Sequence, residues 1–302
     1  MTHSDFRSDL DLSPAELVRV LDLASGVKRS PAEYRSALAG KSIALLFEKP
    51  SLRTRFTFEL AIQQLGGFSI LNEGAIGGRE PLKDMARNLD RWVNGIVART
   101  FLQKTIDGLA QWAGVPVINA LSDMYHPCQA LADMQTLREH FGPVRGLKLA
   151  FIGDGNNVAH SLMLNAARLG IHFALATPRK YEAEASVIAQ ARDFARESGS
   201  RIEITHDPNE AARKAHALYT DVWASMGEEN EAAERRTAFS DYQVDDSLFT
   251  HADPDAVFMH CLPAKRGEEV TDSVIESPRS VVFDQAENRL HAQKALLLTL
   301  LS

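Results

Sequence analysis

The residues in this chain that could do chemistry fall just past short apolar runs, where polar side chains would stand at the ends of buried strands. Ser51-Leu52-Arg53-Thr54-Arg55 lies between the apolar run SIALLF (42–47) and a helical stretch over 54–65. Hydroxyls, guanidinium groups and free backbone N–H groups at a helix start are what a phosphate needs. A capped helix with solvated arginines is the plainer alternative. Arg99 ends the next apolar run, GIVA (95–98), and by itself reads as a surface arginine. In His126-Pro127-Cys128-Gln129 the proline favours the first helical position, which puts His126 at the cap and Gln129 in the first turn. Imidazole and amide there could donate to a carbonyl oxygen as charge develops on it, or His126 could simply cap the helix.

The second half offers different chemistry. Gly153-Asp154-Gly155-Asn156-Asn157 has two glycines of a dinucleotide fingerprint, but position 158 is valine where the third would stand. A tight turn carrying asparagines toward a ligand fits better than a nucleotide site. Asp221-Val222-Trp223-Ala224-Ser225-Met226-Gly227 places a carboxylate after an apolar run, where it suits a cationic ligand group or a helix cap. His260-Cys261-Leu262-Pro263 again follows such a run, and Arg289 comes later; a buried strand end with a proline turn is the alternative. Together, phosphate-type donors in the first half and amine- or carboxylate-type partners in the second predict a bisubstrate enzyme with its site in an interdomain cleft.

These residues need elements to hold them. Strands are predicted at 42–47, 95–98, 115–119, 148–152, 172–177, 201–205, 217–220, 256–260 and 280–283. Helices are predicted at 54–65, near 108–113, and at 127–141, 157–169, 182–197 and 287–301. Alternating strands and helices with unbroken apolar strands predict an α/β fold of two domains, each a parallel sheet flanked by helices. Gly142-Pro143 and Gly146 interrupt two periodic segments, which sets the domains at 1–141, joined by the C-terminal helix at about 287–302, and 142–286. The acidic stretch 227–234 reads as a solvated loop or helix start.

Composition narrows the partners. A net charge of −7 argues against a broad nucleic-acid footprint, so any anion must be held by a few gathered arginines and helix N-termini. No apolar run approaches the ~20 residues that span a bilayer, and residues 1–10 lack the apolar core of a secretory signal. With two cysteines, neither in a CxxC pair, a disulfide framework or structural zinc is not expected, and a reducing cytoplasm fits. Cys128 reads as a small buried hydrophobe.

Six ordered motifs carry a resemblance to the carbamoyltransferase family, in its ornithine branch. They are FEKPSLRTRFTFE (47–59), HPCQALAD (126–133), GDGNNVAHSLM (153–163), DVWASMG (221–227), MHCLPAKRGEEV (259–270) and ENRLHAQKA (287–295). The resemblance implies transfer of a carbamoyl group from carbamoyl phosphate to the side-chain amine of L-ornithine, giving L-citrulline and phosphate in arginine metabolism. It implies a carbamoyl phosphate domain followed by an ornithine domain, a last helix that returns to the first domain, and a homotrimer or multiple of trimers. Carbamoyl phosphate would be held by Ser51, Leu52, Arg53, Thr54, Arg99, His126, Gln129 and Arg289, with the Cys261 and Leu262 carbonyls near its amide nitrogen. Ornithine would be read by Asn157, Asp221, Ser225 and Met226, and the catalytic roles would fall to Arg53, His126 and Cys261. No metal or organic cofactor is implied.

Two positions depart from the family pattern. Position 52 is leucine where relatives often have threonine, which suits a residue that contributes its backbone N–H. In the loop EGAIGGR (73–79), Ala75 and Ile76 stand where many relatives carry a polar residue reaching the neighbouring subunit's site. The rival readings are transfer to aspartate or to an N-acylated ornithine, a non-catalytic Rossmann-like sensor, and a Cys–His hydrolase. An aspartate enzyme would be expected to place basic residues after the 256–260 strand, where this chain has Cys261.

Overall fold

A computed structural model describes residues 5–224 and 229–301 of the chain. The chain forms two compact units, one of Met1–Gln135 with Glu287–Ser302 and the other of Thr136–Ala286.

The first unit contains α1 (Pro14–Arg29), β1 (Ser42–Phe47), α2 (Leu52–Gln64), β2 (Phe68–Glu73), α3 (Leu82–Trp92), β3 (Gly95–Arg99), α4 (Gln103–Trp112) and β4 (Val117–Leu121). α5 (Pro127–Phe141) follows and runs on past the unit boundary. All strand pairs are parallel, in the order β2-β1-β3-β4. β1 and β3 are buried along almost their whole length, as central strands covered on both faces must be. β2, at the sheet edge, is largely exposed, Phe68 and Ile70 included. Neither β2 nor α3 is among the predicted elements, although Leu82, Met85, Ala86 and Leu89 of α3 stand at helical spacing and pack on the core. On one face the core gathers Ala44, Leu46, Ile96, Ala98, Ile106 and Leu109.

The second unit contains β5 (Lys148–Ile152), α6 (Asn157–Leu169), β6 (His172–Ala176), α7 (Ala185–Ser198), β7 (Ile202–Thr205), α8 (Pro208–Ala212) and β8 (Ala217–Thr220). It continues through α9 (Ala232–Ala238), α10 (Asp246–Phe249), β9 (Val257–His260) and α11 (Asp272–Ile275) to the start of α12 (Val282–Leu301), which ends in the first unit. Its parallel strands run β7-β6-β5-β8-β9. α6 is buried along nearly its whole length. Asn156 caps it, its side-chain oxygen accepting from the Val158 and Ala159 N–H groups at 2.9 and 3.2 Å.

Each sheet has a point where strand order reverses, between β1 and β3 in the first and between β5 and β8 in the second. Ligands in open α/β sheets bind beyond the carboxyl ends of the strands flanking such points. Ser51 and Arg99 lie at the first of these positions; the 153–157 turn and Asp221 lie at the second.

One predicted strand is corrected. Residues 280–283 do not form a strand: Ser280 makes a single bridge to Phe258, and the chain enters α12 at Val282. The β-branched pair Val281-Val282 suggested extension, but only Phe258 N–H to Arg279 O and Val281 N–H to Phe258 O form along β9. Asp284 in the first turn then favours the helix.

Candidate active site

In the first unit, α2 begins directly beyond β1, and its cap is Ser51, whose hydroxyl accepts from the Thr54 N–H at 3.3 Å. The N-terminal turn of α2, the positive end of its dipole, therefore begins just past the end of β1. Leu52 opens the helix with its side chain 67% exposed, so its apolar side chain fills no part of the core. Arg53 follows it in the same turn.

Thr54 is the hub of this half. Its hydroxyl accepts from the Arg289 guanidinium at 2.6 Å and from the Arg99 guanidinium at 3.5 Å. The other Arg289 terminal nitrogen donates to Gln129 Oε1, and Gln129 Nε2 in turn donates to Asp133 Oδ1 at 2.8 Å. Thr54, Arg99, His126, Gln129 and Arg289 are all buried. Residues more than 230 positions apart in sequence thus meet through one hydroxyl. Burial, reinforced by the Arg289 and Arg99 charges, holds the His126 imidazole well below its ordinary pKa. At neutral pH it is therefore uncharged, a hydrogen-bonding group and not a third cation.

Sequence reasoning gave no role to Glu48. Its carboxylate accepts from the Ile76 N–H at 3.1 Å and the Phe101 N–H at 2.9 Å, tying together the loops after β2 and β3. Ile76 itself is buried in the core of this unit, which draws the 73–79 loop inward at that residue.

In the second unit, Asp221 follows β8 and collects three donors. The Cys261 thiol donates to its Oδ1 at 3.0 Å, the Val222 N–H to Oδ1 at 2.8 Å, and Asn156 Nδ2 to Oδ2 at 3.0 Å. Asn156 makes this bond, while Asn157 opens α6 beside it. Ser225 and Met226, also expected to face ornithine, lie outside the described residues.

Behind Cys261 stands a brace invisible in the motif. His260 and Glu269 are both fully buried, with His260 Nε2 3.3 Å from Glu269 Oε1. His260 Nδ1 accepts from the Leu262 N–H at 2.8 Å, and Glu269 Oε1 accepts from the Lys265 N–H at 2.5 Å. The ring proton therefore sits on Nε2, facing Glu269. Leu262 has φ 58°, a left-handed conformation that costs a non-glycine residue about 1–3 kcal/mol and needs such support.

Asp221, His260 and Cys261 bring one potential metal ligand atom each within 4.8 Å of one another. Both His260 nitrogens are engaged with Leu262 and Glu269, so the trio is built as a hydrogen-bond cluster.

A second positioning group, Arg235 of α9, donates to Asp154 Oδ2 at 2.9 Å and to the Trp223 carbonyl at 3.0 Å. Its guanidinium also stacks 4.7 Å from the Tyr181 ring centre. It thereby locks the turn after β5 to the loop after β8. Within that turn a Cβ on Gly155 would lie 2.2 Å from the Ala183 nitrogen, so only glycine fits.

With this geometry in view, comparison with known proteins defines the class. Residues 4–139 match the family model for the carbamoyl-P binding domain of aspartate/ornithine carbamoyltransferase, and residues 145–300 match its Asp/Orn binding domain. The chain belongs to the aspartate/ornithine carbamoyltransferase family. It is 53% identical to the ornithine carbamoyltransferase of Thermococcus kodakarensis, across 95% of this chain and 93% of that one. It is 50% identical to the enzyme of the same name from Acidothermus cellulolyticus, across 98% and 96%. The solved ornithine carbamoyltransferase of Pyrococcus furiosus superposes with a TM-score of 0.96 at 48% identity, covering 98% of this chain and 96% of that one.

Proposed function

We propose that this protein is an ornithine carbamoyltransferase, transferring the carbamoyl group of carbamoyl phosphate to the side-chain amine of L-ornithine to give L-citrulline and phosphate. The observation that carries the amino-acid half of this reading is the Cys261–Asp221 contact. A buried carboxylate presented with a thiol and an amide beyond β8 and β9 suits an ammonium group of the incoming amino acid. A second substrate carboxylate, as on aspartate, would meet like charge there.

In this reading residues 1–141 with the C-terminal helix serve carbamoyl phosphate, and residues 142–286 serve ornithine. Ser51, Arg53, Arg99 and the α2 N-terminus hold the phosphate as it leaves; Leu52 contributes through its backbone. Arg53, Thr54 and neutral His126 stabilise the oxyanion that forms when the amine attacks the carbamoyl carbon. Gln129 and Arg289 fix the geometry around Thr54, and the Cys261 and Leu262 carbonyls face the carbamoyl amide nitrogen. An alkyl amine of pKa ~10.4 is neutral in only about one molecule in 2,500 at pH 7. Asp221 and Cys261 orient it for attack as the free base, with Asn157, Ser225 and Met226 reading the rest of ornithine. No step calls for a metal or organic cofactor.

We further propose a homotrimer or multiple of trimers, working in arginine metabolism in the cytoplasm. Phe56 and Leu60 of α2 and Phe68 and Ile70 of edge strand β2 are exposed, an apolar surface that self-association would cover. Both cysteines are free thiols, in keeping with a reducing compartment. No helix among the described residues is long and apolar enough to cross a membrane.

The deciding experiment measures carbamoylated product from carbamoyl phosphate with ornithine, aspartate and N-acetylornithine in parallel. Ornithine is expected to be preferred by at least two orders of magnitude in kcat/KM. A preference for either competitor overturns the assignment.

A further inference from the structure

A hollow of about 410 Å³ in the first unit is lined by Pro31, Arg35, Gln63, Gln64 and Lys294. Gln63 and Gln64 end α2, about 20 Å along the helix from the Ser51 cap, so this hollow lies at the opposite end of α2 from the phosphate-type donors. Lys294 is only 3% exposed, and its ammonium donates to Gln64 Oε1 at 2.5 Å. Among the described residues no carboxylate lies within ion-pair distance of Lys294 or Arg35, and no acidic residue lines the hollow.

Buried ammonium groups are rare without an anionic partner. One amide oxygen serves one of the three Lys294 donors. Burial lowers the Lys294 pKa, and no nearby carboxylate raises it again. The exposed Arg35 guanidinium and the Gln63 and Gln64 side chains add donors around the same space. Charge, donor count and volume together match a multivalent oxyanion with room left for a small organic body.

We propose that this hollow is a second anion site, taking a small phosphate-bearing molecule and separate from the one assigned to carbamoyl phosphate. Lys294 supplies the buried charge, Arg35 the solvent-side clamp, and the two glutamines the remaining donors. Lys294 stands five residues after Arg289 on α12, about 7.5 Å along the axis, so an occupant would rest on the helix that supplies the Thr54 contact.

The test is calorimetric titration of inorganic pyrophosphate into the full chain held in saturating carbamoyl phosphate, so that the first site is already filled. One further pyrophosphate per chain is expected, weakened at least tenfold in Lys294→Gln and in Arg35→Gln. Arg35 is exposed, so its variant keeps the fold, and its turnover without pyrophosphate is expected to be unchanged. Absence of binding under saturating carbamoyl phosphate, or affinity equal to the parent chain's in either variant, overturns the proposal. Citrate binding more tightly than pyrophosphate also overturns it, by reassigning the hollow to carboxylates. If carbamoyl phosphate itself fails to bind, the two variants still report on the hollow independently of the proposed reaction.

Discussion

The Cys261 thiol donates to Asp221 at 3.0 Å across 40 positions of sequence, joining the ends of two adjacent parallel strands into one polar cluster. Parallel pairing of Thr220 with His260 puts the two residues that follow them side by side. Neither residue alone distinguishes a cap from a ligand group; the pair does.

Cys261→Ala is expected to raise KM for ornithine about 10- to 100-fold while the carbamoyl phosphate KM moves less than threefold, since hydrogen bonds to charged groups contribute about 1.5–3 kcal/mol. Steady-state kinetics with each substrate varied in turn checks this. Equal effects on both would remove Cys261 from the ornithine half.

Thr54→Val keeps the shape of the hub but removes the oxygen that Arg289 and Arg99 share. Leaving buried donors unmatched costs about 1–3 kcal/mol, so kcat/KM for carbamoyl phosphate should fall about 5- to 150-fold. Unchanged carbamoyl phosphate kinetics in a folded variant would contradict the role of the hub.

Arg235→Met breaks a buried pair with Asp154, and removing one partner of such a pair destabilises by about 3–5 kcal/mol. A drop in Tm is expected, together with weaker ornithine use. The double variant Arg235→Met with Asp154→Leu should recover part of the Tm, because it no longer strands a charge. Ornithine KM should stay high in the double variant, since the Trp223 carbonyl contact is still missing.

The depressed pKa of His126 makes the fold sensitive to acid. Below the unfolded value of about 6.5 the unfolded chain takes up a proton that the folded imidazole refuses, so this contribution is present above pH 6.5 and is lost as pH falls. The loss is about 1.4 kcal/mol per pH unit until the folded pKa is reached. Denaturant unfolding at pH 7.5 and 5.5 should show a smaller pH difference in His126→Gln than in the parent chain. An identical difference in both would mean that His126 is not the group responsible.

The 73–79 loop shows how far sequence comparison could reach. Ala75 and Ile76 mark a departure from the family pattern, but only the structure shows Ile76 buried in its own unit with its N–H on Glu48. Glu48 sits inside the 47–59 motif, yet nothing in sequence says that it ties two loops; backbone partners leave no compositional trace. Likewise, position 155 could be read as a turn glycine, whereas the close approach of Ala183 that demands it is a tertiary fact.

The alternation of apolar runs and helical periods was enough by itself to determine a parallel α/β architecture, because buried strands must be apolar throughout and helices must cover both faces. Residue chemistry at the strand ends likewise separated the anion-type donors from the cation-type acceptors. Tertiary structure alone decided which of them meet. Thr54 with Arg289, Asp221 with Cys261 and Asn156, and Arg235 with Asp154 are partners set by strand order and helix docking. Helix α3 does carry a legible apolar period, Leu82, Met85, Ala86 and Leu89, which pack on the core of the first unit. Edge strand β2 was decided by the tertiary structure, because its pairing with β1 and not burial makes it a strand.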